Sequence, residues 1–342
     1  MDIYLGHATA LEYWSYLALD SGAPVRGAEP ASLRAETWGL RRTRVRLIAA
    51  IVPDDKALAD RAQLELAILD RPLHLLVSSP HGRRVATALK ACHVWSRPVP
   101  VGSFVRLAPG ILLSTPEFAF LQMAYGRSDG DIMRLAYEMC GTYVRSSTDS
   151  RGFRERAPLT SVNRLTAFIQ AAGASQRSRE RLAGLLKCVA DCSASPMESI
   201  TAISLCATRS RGGFGMTMPE LNGRVDVPAP AGRHGRSYWC DFLWRRQRVA
   251  VEYDSDLVHT GSERIARDSE RRNALLSLGF SVITITRRQF FDDRSFCLVA
   301  GQIAAAIGQR PDRGRHRYDW ETRFMKLRRE LLEPQEPWAS WI

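Results

Sequence analysis

The sequence predicts an α/β protein in which a C-terminal mixed sheet flanked by helices follows a separate α+β region. Three observations carry that expectation. Residues 238–244 and 248–254 are two short apolar runs of β-formers, each holding a carboxylate. A helical stretch containing Arg267 and Asp268 then leads to a third β-run at 280–286. Ahead of residue 147, short β-runs and amphipathic stretches alternate in a pattern of their own.

The elements follow in order. Residues 6–20 read as a helix that ends near Ser21-Gly-Ala-Pro, and 21–45 as a loop-rich connection. Residues 54–69 have the apolar spacing of an amphipathic helix. Short β-runs follow at Leu73–Val77, Ala91–Trp95, Gly102–Leu107 and Ile111–Ser114, with a turn at Pro109-Gly110. Thr115-Pro116 marks a helix start, with Thr115 as cap and proline at the first position. Helix is predicted over 116–126 and 129–146. Residues 147–158, rich in Ser and Arg, read as a linker, and 161–173 and 175–192 as helices. The organisation predicted is an α+β region over 1–146, a linker and helical connector over 147–192, the mixed-sheet domain over 193–309, and a C-terminal charged helix and tail over 310–342.

Strand periodicity puts the carboxylates on defined faces. Asp241 lies opposite to Tyr238, Cys240, Phe242 and Trp244. Glu252 and Asp254 point away from Val249, Val251 and Tyr253. A hairpin around Arg245–Gln247 would bring Asp241 and Glu252 together on one sheet face. Packed carboxylates repel unless they are protonated or share a cation, and Mg²⁺ accepts one or two carboxylates with waters and phosphate oxygens.

These residues resemble the PD-(D/E)XK nuclease superfamily, and within it the very-short-patch-repair-like endonuclease domains. The resemblance covers about residues 193–292. It includes Ser195-Pro-Met-Glu198-Ser, Asp241, Glu252-Tyr-Asp254, His259, Arg267-Asp268, Arg271 and the Gly279-Phe turn. It implies a restriction-endonuclease-like fold in which Glu198, Asp241 and Glu252 surround Mg²⁺ or Mn²⁺. The superfamily's lysine, two residues after the Glu, is Asp254 here. Glu-Tyr-Asp followed by a histidine resembles one branch of these domains, with Asp254 and His259 positioning the attacking water. The stretches Pro72–Val77 and Gly110–Leu121 are distantly similar to the sensor region that precedes such domains, itself similar to AbiE-type antitoxins.

Each residue also has a plainer reading. Glu198 follows Ser195-Pro196, where an acid is favoured in a helix's first turn. Asp241 could be a solvated edge residue and Glu252 a salt-bridge partner. His259 could be a loop residue just before the Thr260–Glu263 capping box. Arg267 and Arg271 share a helix face, suited to phosphate contact or to pairing with acids.

Composition is compatible with a polyanion partner. The 342 residues carry a formal charge of +12. Almost all the positive charge is arginine, 44 against 4 lysines, and it is spread along the chain rather than gathered in one patch. Residues 201–250 hold 8 basic and 3 acidic side chains, while 251–300 hold 7 and 8, so acid gathers around the carboxylate runs. Seven cysteines in a chain this long imply no disulfide framework. Cys188 and Cys192 alone make a poor zinc site. No apolar stretch reaches membrane-spanning length and no secretory signal is visible, so a cytoplasmic protein without membrane contact is expected.

The leading expectation is a Mg²⁺-dependent endonuclease acting on nucleic acid, DNA before RNA, in a defence or toxin–antitoxin setting. A protein partner would bind through the N-terminal region. The alternative is a catalytically inactive nuclease-fold protein that binds nucleic acid or regulates a partner.

Overall fold

The computed structural model describes residues 2–20, 41–43, 45, 48, 55, 58, 69–83, 87–173, 175–228, 235–254, 262–309 and 317–333. It is a mixed α/β structure that divides into two compact units, the second spanning Cys188–Leu332 and the first holding the residues up to Lys187 together with Glu333.

In the first unit, β1 (Ile3–Leu5) runs straight into α1 (His7–Asp20). Strands β2 (Arg41–Thr43), β3 (Leu73–Val77) and β4 (Lys90–Val94) follow, with the short helix α2 (Pro80–Arg83) between β3 and β4. Strands β5 (Phe104–Ala108) and β6 (Ile111–Ser114) complete a six-stranded sheet in the order β2-β5-β6-β1-β3-β4. The predicted runs at 73–77 and 111–114 are these strands to the residue. β1 pairs in parallel with β6 and antiparallel with β3, so the N-terminal strand sits inside the sheet. Tyr4, Leu76, Phe104, Leu112 and Phe118 form its core cluster. The predicted helix 54–69 lies outside the described residues apart from Asp55 and Leu58, which are helical, and Leu69.

Helix α3 (Pro116–Met123) starts at Thr115 as predicted, although the threonine side chain makes no capping bond. Helix α4 (Asp129–Cys140) is capped by Ser128. The prediction of helix through 146 fails at Gly141. Beyond it, Tyr143–Arg145 form β7, paired with β8 (Phe153–Glu155). The Ser/Arg-rich stretch predicted as a linker is therefore the turn and second arm of a hairpin. Arg156 explains the difference. It is 1% exposed, and its guanidinium donates to the carbonyls of Glu138 (2.7 Å), Gly141 (3.3 Å) and Ala157 (2.7 Å). A polar composition mimics a linker when an arginine caps buried backbone instead of meeting water. Helices α5 (Val162–Ala171) and α6 (Gln176–Leu186) follow, and residues 147–187 belong to the first unit rather than to a connector.

The second unit opens with α7 (Pro196–Cys206) and a 3₁₀ turn at Arg209–Arg211. Strands β9 (Glu220–Val227), β10 (Arg236–Trp244) and β11 (Val249–Asp254) form an antiparallel meander. Helix α8 (Ser262–Ser277) leads to β12 (Ser281–Thr286), which pairs in parallel with β11. The sheet order is β12-β11-β10-β9. Gly279, at φ +79°, ends α8, and the Phe280 N–H returns to the Leu275 carbonyl at 3.1 Å.

Helix α8 covers the sheet face that carries Leu243 and Ala250, packing Leu275 and Phe280 there. The other face holds aromatic residues. Tyr253 meets Phe290 edge-on at 5.9 Å. Phe290 closes α9 (Arg287–Phe291) and contacts Phe296 of α10 (Asp293–Ala306) at 5.0 Å. Helix α11 (Arg317–Leu332), predicted as a charged amphipathic helix, belongs to this unit. Its Arg328 is 2% exposed, donates to Asp293 Oδ1 at 2.9 Å, and lies over Phe290 (4.6 Å) and Phe296 (4.8 Å). Cation–π contact and one ion pair thus offset the burial of its charge.

All seven cysteines are free thiols. Among the described residues no helix is long and apolar enough to cross a membrane. Arg156→Ala should strip three buried carbonyls of their donor and destabilise the protein by about 2–4 kcal/mol. Urea unfolding of the variant against wild type measures this, and a loss below about 0.5 kcal/mol would contradict the assigned role.

Candidate active site

Glu252 meets Arg271 of α8, and Asp241 lies near enough to act electrostatically on both Glu252 and Glu198. The β10–β11 register pairs Phe242 with Val251, so one further step sets Asp241 opposite Glu252. Glu252 is in turn opposite Thr284 of β12. On the other side, the pairs Leu221–Phe242 and Cys240–Gly223 place Asn222 opposite Asp241. One row therefore reads Asn222, Asp241, Glu252, Thr284 across four strands.

Asp241 Oδ2 accepts the Tyr253 backbone N–H at 2.8 Å. Asn222 has a left-handed backbone (φ +48°), which asparagine tolerates better than most residues. Its side-chain amide donates to Glu198 Oε2 at 2.8 Å and to the Cys192 carbonyl at 3.0 Å.

Glu198 is buried in the first turn of α7. Ser195 caps that helix as predicted, accepting from the Glu198 N–H at 3.2 Å. The Glu198 carboxylate accepts from the Ala194 N–H (2.8 Å) and the Ser195 hydroxyl (3.1 Å). It thus closes the helix start and faces Asp241 electrostatically at once. Burial pushes its pKa up to about 8, with the Asp241 charge adding to the rise and its hydrogen bonds opposing it. Glu252 is likewise pushed up to about 8 by burial and by Asp241, against the pull of Arg271.

Arg271 comes from α8, one turn before Leu275. One Nη2 donates both to Glu252 and to the Trp239 carbonyl. Burial would lower its pKa, but Glu252 and Asp241 together hold it above the ordinary arginine value. The sequence offered phosphate contact or acid pairing for this residue, and the structure has acid pairing.

The remaining predicted residues divide. Asp254 shares the strand of Glu252 but is exposed at its end, opposite Thr286. His259 lies outside the described residues, as do the Thr260–Glu263 box's first two residues and the Arg267 side chain. Asn222 was missed by the sequence reading, although Asn222-Gly223 inside a β-run is a local signal of unusual backbone.

The fit of this donor set to a hard cation is electrostatic. Two glutamates with raised pKa values share one aspartate, so a divalent cation would relieve the same repulsion that protons relieve. Mg²⁺ needs only one or two protein carboxylates, and Asp241 and Glu252 are the two that could hold it. Among the described residues no three His, Cys, Asp or Glu side chains are grouped so as to hold a metal ion. Arg271 already occupies Glu252, and Glu198 is turned to its own helix.

Comparison with known proteins adds kinship but no activity. The chain is 32% identical over 106 residues to the uncharacterized protein Rv2248 of Mycobacterium tuberculosis strain H37Rv, and equally to the uncharacterized protein MT2308 of strain CDC 1551. The match spans 30% of this chain and 33% of each relative. No protein-family profile matches the chain, and no solved structure does.

The carboxylates set a pH dependence. Unfolded, Glu198 and Glu252 titrate near 4.5, and folded they titrate near 8. The folded state holds more protons between those values. The stability they contribute is therefore full below about pH 4.5 and is lost as pH rises through about 8. In EDTA, Asp241→Asn should lessen this loss, since burial remains the larger cause, and be more stable than wild type at pH 8.5 by about 1 kcal/mol. Thermal melts at pH 6 and 8.5 check it, and parallel losses in the two proteins would contradict the coupling.

Proposed function

We propose that the second unit is a divalent-cation-dependent endonuclease domain of the PD-(D/E)XK type, hydrolysing phosphodiester bonds in DNA. The observation that carries the reading is Asp241, one residue beyond the paired stretch of β10 and β11, acting electrostatically on both Glu252 and Glu198. The element order supports it. A helix, a three-stranded meander, a crossover helix and a parallel fourth strand build one mixed sheet, as the resemblance at 193–292 implies.

Asp241 and Glu252 would hold the cation, with Glu198 fixing the Asp241 side of the site through Asn222. When bound, a divalent cation activates water and stabilises charge on a phosphate oxygen. Asp254, exposed two residues beyond Glu252 at the end of β11, would accept a proton or position the water. Arg271 supplies the positive charge that Asp254 lacks. Its guanidinium is half-buried at 30% exposure, so it can donate to phosphate once released from Glu252.

A second reading has its own observation. The Arg271–Glu252 ion pair is what a metal-free, non-catalytic nuclease fold would use to neutralise its carboxylate. Such a protein would bind nucleic acid without cutting it.

Purified protein incubated with plasmid, single-stranded DNA and RNA in Mg²⁺, Mn²⁺ or EDTA separates these readings. Cleavage should need the cation, and Asp241→Asn and Glu252→Gln should each abolish it while leaving the fold intact by circular dichroism. His259→Ala should slow it about 100-fold, the low end for loss of acid–base help. Absence of both cleavage and Mn²⁺ binding by calorimetry would overturn the nuclease reading in favour of the binding one.

A further inference from the structure

The first unit holds a second cluster of titratable groups, remote in sequence from the carboxylates. His7 begins α1, His74 lies in β3 and His93 in β4. The His7 and His93 rings stack with centroids 3.5 Å apart and planes 17° from parallel. His74 Nδ1 and His93 Nε2 are 2.8 Å apart, sharing one proton. His74 is 1% exposed, and the other two are half-buried.

The start of α1 is clamped around this stack. His7 has a left-handed backbone (φ +48°), a conformation that costs a non-glycine residue about 1 kcal/mol and persists only when its surroundings enforce it. Its N–H donates to Gln122 Oε1 at 2.8 Å. The Gly6 N–H donates to the His74 carbonyl at 3.0 Å, and the His74 N–H to Thr9 Oγ1 at 2.9 Å. Gly6 has no room for a side chain, since a Cβ would lie 2.6 Å from Gln122 Oε1 and 2.9 Å from Leu76 Cγ.

We propose that His7, His74 and His93 form a proton-operated latch, holding the start of α1 against β3 and β4 at neutral pH and releasing it in acid. The shared proton between His74 and His93 needs one ring to remain an acceptor. The stack can hold one added proton, but a second puts cations in van der Waals contact. Among the described residues, the charged groups that reach His7 are His93, His74 and Arg127, all positive when protonated. No carboxylate among them offsets a proton. Burial acts in the same direction, holding the His7 pKa well below the ordinary histidine value.

The sign follows from linkage. His7 has a depressed folded-state pKa, so the open state binds more protons below the ordinary value of 6.5. The latch is fully closed above about pH 6.5 and loosens as pH falls.

Hydrogen exchange of the full chain, followed by mass spectrometry on a peptide covering residues 3–11, reads the latch directly. After correction for intrinsic exchange, the opening constant should rise about tenfold per pH unit below 6.5 for each proton excluded. His7→Asn keeps a residue that tolerates positive φ and removes the ring, so it should flatten this slope. A flat wild-type profile from pH 7.5 to 5.5, or an unchanged slope in His7→Asn, would overturn the proposal. If that variant does not fold, ring-proton titration of wild type decides. A displaced transition accompanied by shifts of the α1 amides supports the latch, and three ordinary transitions near pH 6.5 with static α1 amides refute it.

Discussion

Holding a half-buried Asp241 near two glutamates is the constraint on which the second unit is built. The aspartate is fixed by a backbone N–H of the next strand, so swinging out to water would break its hydrogen bond to Tyr253. Its charge raises both Glu198 and Glu252, and each neighbour is answered by a different device. Glu198 is answered by the start of α7 and by Asn222. Glu252 is answered by Arg271 from the covering helix. The helix start, the left-handed turn of β9 and the docking of α8 thus all meet around one half-buried charge.

Arg271 ties that arrangement to the covering helix. It sits one helical turn from Leu275, whose packing fixes α8 on the sheet, so its stem is anchored while its head is half open. A cation entering between Asp241 and Glu252 would compete with the guanidinium for the same oxygen. The pair is worth little beyond its desolvation cost, as partly buried ion pairs generally are, which makes such an exchange energetically accessible.

Much of this fold was legible in the sequence, for identifiable reasons. Val249–Val251 is apolar with two β-branched valines, so local preference and burial agree, and Leu73–Val77 is a short, fully buried run of mostly apolar side chains. Ser195-Pro196 announces α7 by its own capping chemistry. The face shared by Asp241 and Glu252 follows from strand period alone. What was not legible depends on contacts far along the chain. Arg156 looks like linker until the carbonyls of residues 138–141 surround it. His7, His74 and His93 are unremarkable singly and meet only because β1 inserts between β6 and β3. The choice of Arg271 between phosphate and acid is a matter of which group lies across the helix, and no pattern within 262–277 encodes it.

The seat of Arg328 has a consequence for how the second unit is made. The aromatic face of its sheet is sealed by α11, the last helix of the unit, through a charge buried among Phe290, Phe296 and Phe324. During synthesis the strands bearing the carboxylates emerge from the ribosome well before residue 328. Until it follows, those rings lack their cover and the unit is an open half-sandwich. The aromatic face of the sheet is therefore closed only after every strand of the sheet has been made, when α11 follows β12.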